Sequence, residues 1–503
     1  MAALEQQLFA SGLPVEALME KAALAVAAAI QADWGDHLQR HGAVVLVGPG
    51  HNGGDGLVIA RELHLAGIAV QLWSPFERHK PLTAAHWNHA IWLGLERLAL
   101  PPDPGGAALW IDALFGIGQS RPLDDGLATL LQERQRRRSG TLVAVDVPSG
   151  LDDTDGQRLG AACATAACTY CIGLLKQGLL QDQALAAVGR LQRIELGLPA
   201  KALQTLPPQT PLVLEPGDAL QAPWPQLDPA AGKYNRGRVL VIAGSERYRG
   251  AAHLALLGAS ASGVGSLRAA LPSALAEALW QLLPHAVLQR TLACSPCGSL
   301  LLGALQTSDL ERLDAIALGP GIGALDATTL DAVQHQAETH SWELLQAFPG
   351  LLLVDADGLN RCSVHWLQGR QGPTWITPHR GELARLWPDL DSRPALDAAA
   401  AAAADSGAVV LLKGARSVIA GPDGQRWQLG QANPAVARAG LGDVLAGYAA
   451  SRAAMALATG AAHQSWWLAA ASLEHAAAGI TAGPNSTPQA IAAALHQDNR
   501  ATC

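Results

Sequence analysis

One pattern limits what this chain can fold into. Short apolar runs stop abruptly at glycine or at a carboxylate, and a helix-like stretch follows. The first run, Ala43-Val44-Val45-Leu46-Val47, enters Gly48-Pro49-Gly50-His51-Asn52-Gly53-Gly54-Asp55-Gly56; residues 57–66 then read as helix and 69–73 as a second strand. Residues 108–112 and 141–146 repeat the pattern, and each finishes on an Asp, Asp112 and Asp146. Strands that are apolar throughout are buried on both faces, as in a parallel sheet covered by helices. Residues 13–30 carry apolar side chains at helical spacing and predict a helix packed on that core.

In an open parallel sheet, ligands bind outside the carboxyl ends of the strands. Three successive loops would therefore bring Asn52, Asp112, Asp146 and Ser149 to one rim. Such hard oxygen donors suit an alkali or alkaline-earth cation; each Asp taken singly could equally be a helix N-cap. Gly48, Gly50 and Gly53 satisfy G-x-G-x-x-G. A nicotinamide dehydrogenase does not follow. Pro49 stiffens the turn, and the second strand ends in Trp73-Ser74-Pro75, with no acidic residue to hold a ribose hydroxyl.

The composition shifts at Leu206-Pro207-Pro208-Gln209-Thr210-Pro211 and Ala222-Pro223-Trp224-Pro225. Prolines at this density break regular elements, which predicts a linker over 206–230. A second set of strand-to-loop units follows. Arg238-Val239-Leu240-Val241-Ile242 enters Ala243-Gly244-Ser245, and Gly250-Ala251-Ala252 opens a helix of small residues. Ala315-Ile316-Ala317-Leu318 enters Gly319-Pro320-Gly321-Ile322-Gly323. Residues 351–354 enter Asp355-Ala356-Asp357, Trp375-Ile376 enters Thr377-Pro378-His379, and residues 409–412 enter Lys413-Gly414-Ala415-Arg416-Ser417.

Ala439-Gly440-Leu441-Gly442-Asp443-Val444-Leu445 then sets flexible residues before an apolar helical run. Glycines let backbone N–H groups approach an anion, and a helix N-terminus carries partial positive charge. Asp443 would repel a bound anion. It fits either a base that takes a proton from a hydroxyl beside a phosphate or a plain glycine turn capped by Asp.

A net charge of -8 gives no footprint for nucleic acid, and the basic cluster 134–138 reads as the solvated end of a helix. The apolar run 22–30 is too short to span a bilayer, and the N-terminus has no basic leader, so no membrane partner and a cytoplasmic location are expected. Seven cysteines argue against a disulfide framework. The pairs Cys168/Cys171 and Cys294/Cys297 have zinc-like spacing, but residues 166–172 read as a buried strand in which Cys is a small hydrophobe.

Residues 48–56, Asp112 with Gly116-Ile117-Gly118, and Val145-Asp146-Val147-Pro148-Ser149-Gly150 together resemble the NAD(P)H-hydrate epimerase family, as do Leu18-Met19-Glu20-Lys21-Ala22 and Lys176-Gln177-Gly178-Leu179. The resemblance covers 1–205 and implies a Rossmann-like three-layer αβα domain that interconverts the R and S forms of hydrated NAD(P)H. It implies K+ at Asn52, Asp112 and Ser149. It implies substrate contacts at His51, Asn52, Gly53, Gly54, Asp55, Gly116, Ile117, Gly118, Gln119, Ser120, Arg121, Pro122 and Asp146, with Asp146 as the acid/base that opens and recloses the ring at C6. His51 stands where the family usually has Asn.

From Lys233-Tyr234-Asn235-Arg236-Gly237 onward, across 231–503, the order of motifs resembles the ADP-dependent NAD(P)H-hydrate dehydratases, a ribokinase-like group with a doubly wound αβα sheet. The resemblance implies hydrate contacts at Ala251, Gly323, His379 and Asp443, and nucleotide contacts at Lys413, Gly414, Ala415, Arg416, Ser417 and Gly442. It implies Asp443 as the base, with Mg2+ bridging the phosphates of ADP. Leu441 replaces a smaller residue common in that group. The expected partners are NADHX, NADPHX and ADP, and the expected assembly is a homo-oligomer. The rival reading is a ribokinase-like small-molecule kinase with a fused nucleotide-binding module, which leaves the motifs of 1–205 unexplained.

Overall fold

The computed structural model describes residues 1–221, 224–226, 228–434 and 437–498, and the chain forms two compact units, Met1–Pro207 and 208 onward.

The first unit is a seven-stranded sheet in the order β3-β2-β1-β4-β5-β6-β7. Its strands are β1 Ala43–Val47, β2 Val70–Trp73, β3 Glu96–Arg97, β4 Leu109–Ala113, β5 Leu142–Val145, β6 Cys168–Ile172 and β7 Arg190–Ile194. Every pairing is parallel. Alternate side chains of β1 feed two separate cores: Ala43, Val45 and Val47 pack on one face, Val44 and Leu46 on the other. Helices α1 Ala2–Ala10, α2 Val15–His41, α3 His51–Leu65, α4 Pro81–Trp92 and α5 Asp125–Arg137 accompany the sheet. Strand order reverses between β1 and β4, and the crevice that a parallel sheet offers a ligand opens there. Cys168 and Cys171 lie buried in β6.

Two readings of this half need correction. Helix α3 begins at His51, not at 57, so most of the glycine stretch is helical. Those glycines serve close packing: a Cβ on Gly53 would overlap the Gly48 carbonyl, and one on Gly56 would press on Ala113. The basic cluster is not uniformly solvated either. Arg134 is 1% exposed, stacks over Trp110 at 4.6 Å, and donates to the carbonyls of Gly106 at 2.7 Å and Thr141 at 2.9 Å. It lies three and four residues after Leu131 and Leu130, on the inward face of α5, so the helix carries it into the core.

The second unit is a ten-stranded sheet in the order β11-β10-β9-β12-β13-β14-β15-β16-β17-β8. Its strands are β8 Leu212–Leu214, β9 Arg238–Ile242, β10 Ser266–Pro272, β11 Val287–Leu292, β12 Ala315–Leu318, β13 Leu351–Val354, β14 Thr374–Ile376, β15 Val409–Leu412, β16 Val418–Ala420 and β17 Arg426–Leu429. From β11 to β15 the pairing is parallel, while β15-β16 and β16-β17 are antiparallel, so the sheet is mixed at this side. Strand β8 comes from the stretch predicted as linker. It lies at the sheet edge between Pro211 and Pro216, where prolines cost no internal ladder bond. Ala222 and Pro223 lie outside the described residues. The apolar faces again alternate, with Val239 and Val241 in one core and Leu240 and Ile242 in the other.

The helix Leu441–Ala458 crosses the helix Arg249–Ala261 at near backbone contact. A Cβ on Gly258 would overlap the Val444 carbonyl, and one on Gly447 would overlap that of Ala255. Small residues at this crossing bring the Asp443 end of the helix down onto the strand ends.

Candidate active sites of the two units

In the first unit a cavity of about 380 Å³ opens at the ends of β1, β4 and β5. Of the residues expected at the epimerase site, it is lined by His51, Asn52, Asp55, Gly116, Ile117, Gly118, Gln119 and Asp146. Gly53 and Gly54 are buried in the first turn of α3, and Ser120, Arg121 and Pro122 lie exposed outside the lining. Because α3 starts at His51, its first N–H groups face the mouth and suit an anionic group.

Asp112 and Ser149 are both fully buried. Asp112 Oδ1 accepts from Ser149 Oγ at 2.7 Å and from the Leu114 N–H at 3.3 Å, while Oδ2 accepts from the Ser149 N–H at 2.8 Å. Burial raises the Asp112 carboxyl above its ordinary value, against these hydrogen bonds. Neither Asp112 nor Asp146 caps a helix. Asn52 donates through Nδ2 to the Val145 carbonyl at 3.3 Å, and among the described residues no donor reaches its Oδ1. One carboxylate among neutral oxygens fits a large monovalent cation better than a divalent one.

Asp146 holds φ at +67°, a conformation costly for a residue with a Cβ. Its Oδ1 accepts from the Ile172 N–H at 3.1 Å and from Lys176 Nζ, which also donates to the Ile172 carbonyl at 2.7 Å. Burial alone would lower the Lys176 ammonium; the Asp146 charge overrides it and holds it above its ordinary value. Three titratable groups of this cavity, Glu5, Lys80 and Lys176, had no functional role in the sequence reading. Lys176 was visible only as part of a motif. Glu5 carries no local signal, because only the packing of α1 brings it here.

In the second unit the rim forms at the ends of β9, β12, β13, β14 and β15. Lys413 Nζ donates to Asp355 Oδ1 at 2.6 Å, and Thr377 Oγ1 donates to the same oxygen at 2.7 Å. A Cβ built on Gly442 would stand 3.5 Å from Lys413 Nζ and 3.7 Å from Asp355 Oδ2, which places the first turn of the helix Leu441–Ala458 against this pair. Asp443 lies in that turn, and Gly440, at φ +93°, occupies the cap position. The Asp443 carboxyl is pushed up to about 6 by burial and then by Asp355, with Asp357 adding and Lys413 opposing.

Gly323, at φ +80°, is held on both sides of its peptide: its N–H donates to Asp357 Oδ2 at 2.9 Å and its carbonyl accepts from Arg361 at 2.6 Å. Ala251 packs against Gly321 of the same loop, since a Cβ on Gly321 would stand 2.6 Å from that of Ala251. His379 bridges to Lys413 through the backbone and caps the helix Arg380–Leu386, accepting from the Glu382 N–H at 3.2 Å, with its ring largely exposed. Gly414 and Ala415 follow Lys413 on an exposed bend, and half-buried Ser417 closes it, with Ser417 Oγ 3.3 Å from the Gly414 nitrogen. Arg416 is turned inward and donates to the Gly430 carbonyl at 3.0 Å. Asp355 and Asp357 received no role from sequence, although Asp355 directly follows β13 and Asp357 opens the short helix after it.

Among the described residues no helix is long and apolar enough to cross a membrane. The family model described as NAD(P)H-hydrate dehydratase matches residues 239–497, and that of the YjeF-related protein N-terminus matches 15–178. The bifunctional NAD(P)H-hydrate repair enzyme Nnr of Gloeobacter violaceus is 43% identical over 454 residues, covering 88% of this chain and 85% of that protein. Its namesake in Synechocystis is 38% identical over 498 residues, covering 97% and 90%. A ribokinase-like superfamily protein from Enterococcus faecalis aligns with TM-score 0.48 and 23% identity over 59% of this chain and 99% of its own. Taken with the two rims described above, the relatives at 43% and 38% identity assign the chain to the family of bifunctional NAD(P)H-hydrate repair enzymes.

Proposed function

We propose that the first unit epimerises NAD(P)H hydrate and the second dehydrates the S form with ADP, releasing AMP and phosphate. The observation that carries the second half is the Asp443 carboxyl at a helix N-terminus beside the Lys413–Asp355 pair. Hydroxide is a poor leaving group from C6 of the hydrated ring. Asp443 takes the proton of that hydroxyl, the oxygen accepts a phosphoryl group, and the N–H groups of the helix end receive its charge. Loss of phosphate from C6 and of a proton from C5 then restores NAD(P)H. Lys413, Gly414, Ala415, Ser417 and Gly442 hold the nucleotide, while Ala251, Gly323 and His379 face the hydrate. The inward-turned Arg416 contributes through the backbone. Bound magnesium would neutralise charge on the nucleotide phosphates.

In the first unit Asn52, Asp112 and Ser149 would hold K+, which would supply a fixed positive charge to the site. Asp146 exchanges a proton with the C6 hydroxyl as the ring opens and recloses. Free thiols at the six described cysteines accord with a cytoplasmic enzyme, and a homo-oligomer is expected by light scattering.

The deciding experiment supplies NADH hydrate, ADP and magnesium. Return of NADH absorbance with release of inorganic phosphate supports the reading; a stably phosphorylated alcohol without NADH establishes a kinase instead. For the first unit, Asp146→Asn should leave only one epimer repaired quickly. Equal repair of both epimers removes Asp146 from the mechanism.

A further inference from the structure

Ring opening at a carbinolamine carbon needs two proton transfers. One removes a proton from the C6 hydroxyl, and the other supplies a proton to the departing ring nitrogen N1. The proposed function assigns only the first. The cavity contains a group placed for the second.

Helix α1 lays Glu5 and Phe9, one helical turn apart, along the cavity wall. Leu4, 1% exposed, anchors the helix, and Thr205 Oγ1 donates to Gln7 Oε1 at 3.1 Å. The charged and titratable groups facing this space are Glu5, His51, Asp55, Lys80, Asp146 and Lys176, with the amino group of Met1 near Glu5. Lys176 is committed to Asp146. Among the described residues neither the Glu5 nor the Asp55 side chain has an ion-pair or hydrogen-bond partner. Three carboxyl groups thus share a pocket with two lysines, of which Lys176 is taken by Asp146 and Lys80 acts on His51 rather than on Glu5 or Asp55, an arrangement that favours a retained proton. Burial and then the Asp146 charge raise the Glu5 carboxyl above its ordinary value, against Lys176 and the terminal amino group. Asp55 is raised further, by burial, Asp146 and Glu5.

We propose that Glu5 is the second proton-transfer residue of the epimerisation, giving a proton to N1 while Asp146 takes one from the C6 hydroxyl. The proposal rests on the reading of this cavity as the epimerisation site. In the forward step the Asp146 carboxylate accepts the hydroxyl proton and the C6=O bond forms. The C6–N1 bond breaks with its electron pair on N1, and N1 takes the Glu5 proton. The open form, an aldehyde and an enamine, rotates about C5–C6 and presents the other carbonyl face. N1 then attacks C6 and returns its proton to Glu5, while protonated Asp146 returns its own to the oxygen. Nothing is consumed, and no electron leaves the substrate. Asp55, the fifth residue of α3, lies past its first turn and is the rival donor, which the Asp55→Asn variant separates from Glu5.

The test uses the full chain and pure R hydrate, with the epimers separated by chromatography. The rate at which the same preparation dehydrates the S form measures the active enzyme present. Glu5→Gln should lower kcat for R-to-S conversion by about 10²-fold with KM within twofold, and Glu5→Asp should restore part of the loss. The Glu5→Gln variant should also lose the alkaline limb of the kcat profile. A kcat within threefold of the parent, or a KM rise at unchanged kcat, overturns the proposal. So does a loss confined to Asp55→Asn. If Asp146→Asn is silent as well, it is the reading of the cavity that fails; a silent Glu5→Gln beside an impaired Asp146→Asn refutes Glu5 alone.

Discussion

Lys413 and Asp355 form a 2.6 Å ion pair at the floor of the second rim, with Asp355 1% exposed and hydrogen-bonded by Thr377 as well. The pair links the ends of β13 and β15 and faces the first turn of the helix that carries Asp443. Replacing Asp355 with Asn leaves an ammonium without its counter-charge. Breaking a buried pair costs about 3–5 kcal/mol, and partial exposure of Lys413 places this one toward about 2–3 kcal/mol. The variant should show that loss in urea unfolding followed on the second unit. Its acid limb of dehydration should also move to lower pH, because the Asp355 charge helps hold the Asp443 carboxyl up. An unchanged midpoint and limb would remove the pair from both roles.

The Asp443 carboxyl, raised from an ordinary 3.8 to about 6, fixes a pH dependence with a definite sign. A base must be ionised, so kcat/KM for dehydration should fall tenfold per pH unit below about 6 and level off above it. Stability runs the other way. A raised carboxyl binds its proton more tightly in the folded state; that contribution is complete below 3.8 and is lost as pH rises through about 6. Asp443→Asn should therefore be inactive yet more stable than the parent at pH 8, by on the order of 2 kcal/mol, with the difference gone by about pH 4. Thermal unfolding across that range measures it. A variant less stable at pH 8 would contradict the assigned environment.

Strands β1, β2, β4, β5, β6, β9 and β12 to β15 were legible because their runs are largely apolar, and the rims were legible because strands end on Asp, Gly or Lys; β3, β7, β10, β11, β16 and β17 were not read as strands. What escaped sequence reading depends on the third dimension. The start of α3 was misplaced because glycine counts as loop chemistry locally, whereas Gly53 and Gly56 are required by contact with Gly48 and Ala113. Arg134 looked solvated among four other charges until the inward face of α5 was known. Strand β8 lies among prolines and gains its ladder only from β17, far away in sequence. Glu5 is one acidic residue on a short helix, and no spacing rule connects it with Asp146.

The Ser149 hydroxyl and N–H both hold Asp112, so Ser149 shapes the cation cradle as well as lending it an oxygen. With K+ held there, epimerisation should depend on potassium and weakly or not at all on lithium. Ser149→Ala should raise the KCl concentration for half-maximal rate by at least about tenfold, equivalent to about 1.4 kcal/mol of ion affinity. Rates measured against KCl, with tetramethylammonium chloride holding ionic strength, decide the matter. Equal rates in both salts would leave the cradle without a cation role.

Ala356 separates Asp355 from Asp357 and adopts φ +47°, ψ −121°, a region in which a Cβ is strained. Such strain costs about 1–3 kcal/mol, whereas giving the unfolded chain a glycine costs only about 0.4–1 kcal/mol. The difference fixes the sign: Ala356→Gly should stabilise the second unit by about 1 kcal/mol, against the usual direction of an alanine-to-glycine change. The strain has a structural use, since the turn sends Asp355 to Lys413 and Asp357 to the Gly323 N–H from either side of Ala356. Glycine permits that turn without enforcing it, so the relaxed variant should hold the two carboxylates less firmly and dehydrate with a lower kcat. Urea unfolding and steady-state dehydration on the same preparation test both halves. A destabilised variant would mean that the turn is not strained, and a more stable variant with unchanged kcat would mean that the strain does not serve the reaction.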